Sequence, residues 1–132
     1  MKTIQLNNSY RTVVVGTAVF AGCVGWSLWS QPKLFEIPVY DALLKLAPLR
    51  FWSALWATIA VVSVVAVLTR SVKVWVAGAV GSTAIAACWL AGLSWAHFVD
   101  DARLSLTGWS LWAYYAWSQW WLVLSADKFV DR

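Results

Sequence analysis

His97, Asp100 and Asp101 come nearest to a chemical site in this sequence. His97 and Asp101 stand four apart, so at a helix end both side chains could touch one cation. A metal centre needs more donors than these, and the remaining candidates, Glu36 and Asp41, belong to a different part of the chain. The two acids have a simpler use as membrane-surface charges and as first-turn residues of a following helix. With one histidine in the chain, a haem held by two histidines of the same molecule is excluded. Cys23 and Cys88 both fall within apolar stretches and read as small packing residues. The sequence has no nucleophile–base pair, no Cys-x-x-Cys and no phosphate-binding loop. The expectation is a protein that is not an enzyme and holds no cofactor or metal.

The elements that carry these residues are four apolar stretches, 12–30, 51–69, 74–99 and 104–126, each 19 to 26 residues long. A hydrocarbon core of about 30 Å takes roughly 20 residues of helix, so each stretch predicts a transmembrane helix. Barrel strands of about 10 strictly alternating residues do not fit the pattern. The first stretch follows Lys2 and Arg11 as a signal peptide would. It is long for such a segment and lacks a small-x-small cleavage site, so a retained helix is expected. Charges fall only at the ends of the stretches. Proton relays, ion-coupled transporters and voltage sensors place a charge deep in a helix. Small multidrug exporters of four helices depend on a glutamate in the first, and 12–30 contains none.

Composition agrees with burial in lipid. The chain of 132 residues is 61% hydrophobic and 12% charged, with 12 tryptophans. A soluble domain carries about 25% charged residues and could not hide this much apolar surface in so small a core. The net charge of +4 comes with no two basic residues adjacent, which leaves no stripe for a nucleic-acid backbone. The predicted class is all-α, a polytopic membrane protein with four transmembrane helices forming a single bundle over 1–132.

The connections are informative. Arg70-Ser71-Val72-Lys73 and Asp100-Asp101 are short links that force antiparallel neighbours. The longer link, 31–50, contains a helical pattern over 38–47 bounded by Pro38 and Pro48. There Val39, Leu43 and Leu46 share one face, and Asp41 and Lys45 the other, which predicts a short interfacial helix lying on the membrane. Lys2, Arg11, Arg70, Lys73, Lys128 and Arg132 fall on one side of the bilayer, six against the four of Lys33, Lys45, Arg50 and Arg103. That bias places both termini in the cytoplasm, with a bacterial inner membrane as the expected location.

Two constellations are candidates for contact. Small residues recur at four-residue spacing in the first helix (Ala18, Gly22 and Gly25) and the third (Gly78, Gly81, Ser82, Cys88 and Gly92). Such spacing lets helix backbones approach closely, either within one bundle or between copies. The tryptophans form the second. Trp26, Trp29, Trp52, Trp56, Trp75 and Trp95 lie near helix ends and predict interface belts. The fourth helix has aromatics all round: Trp109, Trp112 and Trp120 on one face, Tyr114, Trp117 and Trp121 on another. These predict an aromatic packing ridge or a contact surface for a partner protein or for a lipid or quinone-like ligand, with Ser110, Ser118 and Gln119 as acceptors for the indole N–H groups.

The run Pro38-Val39-Tyr40-Asp41-Ala42-Leu43-Leu44-Lys45-Leu46-Ala47-Pro48-Leu49-Arg50-Phe51-Trp52 resembles a segment of small four-span membrane proteins encoded by bacteriophages. Those proteins are also Trp-rich in their third and fourth helices and are often described as holin-like. The resemblance covers about a quarter of the chain. It implies a phage- or prophage-type inner-membrane protein that acts by assembling in the bilayer into a homo-oligomer that permeabilises the membrane. The alternative is a non-catalytic accessory or regulatory subunit docked on a larger membrane protein complex, superinfection exclusion and a virion membrane component among its forms. Either way the partners are membrane lipids and membrane protein, not nucleic acid.

Overall fold

The computed structural model describes residues 5–6, 8–99, 106–125 and 130–131. Apart from a two-residue bridge and short turns, the described chain is helical. Strand β1 (Gln5–Leu6) pairs antiparallel with β2 (Val130–Asp131), Gln5 opposite Asp131, so the two ends of the chain meet.

Helix α1 (Asn8–Ser30) stops where Gln31 precedes Pro32, because a residue before proline is pushed out of the helical region. Two single turns of 3-10 helix, Pro32–Phe35 and Pro38–Tyr40, lead into the short helix α2 (Asp41–Leu46). Ala47, ahead of Pro48, is extended and ends it for the same reason. Helix α3 (Leu49–Thr69) then starts on Pro48, whose carbonyl accepts from Phe51 N at 2.9 Å. Arg70 takes the left-handed conformation (φ 53°), and Ser71 caps helix α4 (Val72–Phe98) by accepting from Val74 N at 3.4 Å. Helix α5 (Leu106–Leu124) completes the set.

The spans Tyr10–Ser30, Leu49–Thr69 and Val72–Phe98 are long and apolar enough to cross a membrane. Their outward side chains agree. Val19, Val61, Leu68, Trp26 and Phe98 are all well exposed, a surface that would aggregate in water and is normal in lipid.

Between helices in lipid, burial of apolar surface no longer drives association, so close packing and hydrogen bonds must do so. Glycines set the closest approaches. A Cβ on Gly25 would stand 3.2 Å from Ala57 N and from Ser53 O, so α1 and α3 touch backbone to backbone, and Ser53 Oγ donates to Gly25 O at 2.8 Å. A Cβ added at Gly78 would stand 3.0 Å from Val62 Cγ1 of α3, and one at Gly81 would stand 3.1 Å from Ile59 Cδ1. Gly92 seats Leu43 of α2, whose Cδ2 would lie 2.7 Å from an added Cβ.

Leu43 is held twice, since its carbonyl also accepts from Trp52 Nε1 at 3.2 Å. The face expected on α2 is therefore only partly right. Val39 and Leu43 are buried against the bundle, while Leu46 turns outward. Burial also raises the Tyr40 hydroxyl above its ordinary pKa, because the charged form would lose its water.

Two buried clusters result. One, nearer α2, is built on Trp52, Trp56, Trp89, Leu28, Leu43 and Leu93. The other, nearer the chain ends, joins Tyr10, Val14, Ala66, Trp75 and Ala79, with Tyr10 edge-on to Trp75 at 4.7 Å. Trp52, Trp56 and Trp75 are thus core residues, contrary to the interface belts expected for them. Trp26, Trp29 and Trp95 do face outward at the α2 end, where the Arg50 guanidinium lies 5.4 Å over the Trp29 ring.

Candidate interaction face on the last helix

The inner face of α5 is built from Trp112, Tyr115 and Gln119. Trp112 packs 4.9 Å from Trp89 and 5.6 Å from Trp56 between ring centres. Trp56 and Trp89 are 0% and 2% exposed, and neither indole N–H has a hydrogen-bond acceptor among the described residues. Both sit in edge-to-face packing, including with each other at 6.5 Å and 80°. There the positive edge of one ring meets the π face of the next, a partial substitute for the missing acceptor. Tyr115 stacks on Phe20 of α1 at 4.5 Å and shares a short hydrogen bond with Ser82 of α4. Gln119 is buried and donates from Nε2 to Thr17 Oγ1 at 3.2 Å, tying α5 to α1.

The outer face is different. Tyr114, Trp117 and Trp121 are 71%, 67% and 47% exposed, and Trp120 stands beside them partly exposed. None of the indoles of Trp117, Trp120 and Trp121 makes a hydrogen bond to a described residue. Between this face and α1 lies a groove of about 550 Å³. Gly16, Thr17 and Phe20 of α1 line it opposite Tyr114, Trp117 and Trp121. A Cβ on Gly16 would meet nothing within 4 Å, whereas one on Gly25 would collide with backbone. The α1–α5 seam is therefore bridged by side chains and left open between them, while the α1–α3 seam is closed at the backbone. Among the described residues that line the groove there is no carboxylate, imidazole, amine or thiol. Its chemistry is that of an apolar wall with one amide and a few hydroxyls.

The sequence candidates divide accordingly. Gly25, Gly78, Ser82 and Gly92 are buried, and Ala18, Gly22 and Gly81 are partly covered. A Cβ added at Gly22 would meet Ala60 at an ordinary 3.9 Å, so these approaches are made within one chain. Cys88 faces outward on α4, as Cys23 does on α1. Trp112 belongs to the core and not to a partner surface. Trp109, at the α2 end, is partly exposed and donates to Ser94 Oγ at 3.0 Å. Of these candidates Trp117, Trp120 and Trp121 remain as an outer aromatic face with no hydrogen bond to a described residue.

The expected indole acceptors also change. Ser94 and the Leu43 carbonyl take that part, while Gln119 spends its amide on Thr17. The Thr17–Gln119 pair and the Gly16 notch had no sequence signal beyond a lone amide in an aromatic helix. His97 is exposed at the end of α4; Asp100 and Asp101 lie outside the described residues. Among the described residues no three His, Cys, Asp or Glu side chains group as a metal would need. No protein-family model, curated protein or solved structure matches the chain.

Proposed function

We propose that the protein is a non-catalytic four-span membrane subunit that docks on a larger membrane protein through the outer face of α5. The observation that carries this is the pairing of three outward tryptophans, hydrogen-bonded to no described residue, with an open groove along one helix seam. Interface belts account for aromatic rings at helix ends, yet Tyr114 and Trp117 fall in the middle of α5. Exposed rigid rings beside a groove are what a well-packed contact uses as anchors. In this reading α5, 19 residues long, is the fourth span, α2 lies at the membrane surface, and both chain ends face the cytoplasm. The paired ends of the chain and the even number of long helices support that arrangement.

The test is affinity purification of the tagged chain from mildly solubilised membranes. Trp117→Ala with Trp121→Ala should release the bound protein, and Trp26→Ala, on an outward ring of α1, should retain it. Retention by the double variant would contradict the reading.

The holin-like alternative, assembly of copies into a lesion, is favoured by a different face. Ala77, Ala84, Cys88 and Ala91 are exposed along one side of α4 at helical spacing, a flat strip on which a second copy could pack. Membrane potential separates the two. Abrupt depolarisation after delayed, controlled expression belongs to a lesion, whereas an intact potential at high membrane abundance belongs to the docking subunit.

A further inference from the structure

We infer that the cleft between the start of α1 and the end of α3 binds a phospholipid of net negative charge. Two hollows meet there. The outer one, about 460 Å³, is lined by Arg11, Thr12, Arg70, Val15 and Val67. The inner one, about 290 Å³, is walled by Val15, Ala18, Val19, Val64, Val67 and Leu68. Val15 and Val67 line both, so the polar mouth and the wholly aliphatic floor adjoin at these two side chains. Between Arg11 and Val19 the helix advances about 12 Å, close to the depth of one leaflet's acyl region. A headgroup at the mouth therefore leaves its chain lying along the valines.

The mouth is charged, and no acidic side chain is among the described residues that line it. Arg11 Nε is buried without an acceptor, and neither Arg11 nor Arg70 bonds to any described residue. Lys73, three residues after Arg70, is exposed at the start of α4. At the opposite end of the bundle Arg50 is already engaged over Trp29. Guanidinium groups bind phosphate oxygens in pairs of parallel hydrogen bonds. A zwitterionic lipid would bring its own ammonium against this cluster, so the charge favours a headgroup with no cation to offset its phosphate. The cleft thus has both halves of a phospholipid's chemistry in the right order along the membrane normal.

The inference rests on α1 and α3 crossing the bilayer. The full chain is reconstituted into nanodiscs holding equal dioleoyl phosphatidylglycerol and dioleoyl phosphatidylcholine. Lipids that survive stripping are then counted by native mass spectrometry. The expected result is retention of phosphatidylglycerol over phosphatidylcholine by about tenfold. R11Q with R70Q should bring the ratio near unity, R50Q should leave it unchanged, and V19W should block retention by filling the aliphatic floor with both arginines intact. Equal retention of the two lipids by the unaltered chain, or an unchanged ratio in R11Q/R70Q, would overturn the site. So would a V19W chain that keeps phosphatidylglycerol as the unaltered chain does. Flotation with vesicles after carbonate washing separates the two failures. A chain that does not float loses the span and the site together, and one that floats without selectivity loses the site alone.

Discussion

Trp112 and Trp117 lie five residues apart on one helix and have opposite surroundings. Trp112 is wedged against Trp89 and Trp56 in the core, and Trp117 projects from the bundle beside an open groove. The same contrast holds between seams. At α1–α3 the helices meet through Gly25 at the backbone, and at α1–α5 they meet through Phe20, Thr17, Tyr115 and Gln119 around a gap. The closed seam holds the molecule together, and the open one is where we propose that a partner docks. In lipid this division follows from packing, since apolar surface is equally content facing a helix or an acyl chain.

Trp89→Ala should break the inner half of the comparison most severely. It removes a ring packed on Trp52, Trp56 and Trp112, and the void it leaves should lower stability by about 3 kcal/mol, read by unfolding in mixed micelles. Gly25→Leu should follow, at about 1–3 kcal/mol, because backbone atoms at 3.2 Å cannot move aside. Gly16→Leu should cost far less, as it faces open space. Tyr115→Phe and Ser82→Ala should each cost about 1 kcal/mol. The double variant should cost little more than either alone, a non-additivity that a double-mutant cycle would read directly. Trp117→Ala should stay within about 0.5 kcal/mol of the unaltered chain. A loss as large as that of Trp89 would mean that the outer face is also structural.

Much of this was legible in the sequence. The stretch expected at 51–69 is the helix Leu49–Thr69, and that at 74–99 is Val72–Phe98. Long uncharged runs leave the backbone no way to satisfy itself in lipid except as helix. The short helix in the first connection was visible in its two prolines.

The assignment of inside and outside was not legible. Trp52, Trp56 and Trp75 have the positions of belt residues, yet α4 and α2 close over the first two and Tyr10 of α1 packs on the third, and that depends on partners far away in the chain. Likewise the small-residue spacing announces a close approach without naming the neighbour. Gly92 turned out to serve a leucine of the connecting segment. The groove is the least local feature, since Thr17 and Gln119 meet only when the first and last helices are brought together.

The most direct test is a photo-crosslinking amino acid placed in turn at positions 117 and 112 of the chain in its native membrane. The account predicts a discrete heavier adduct from position 117 and none from position 112. Equal adducts from both positions, or none from 117 while the chain is folded and abundant, would contradict the separation of an inner, structural set of tryptophans from an outer, docking one.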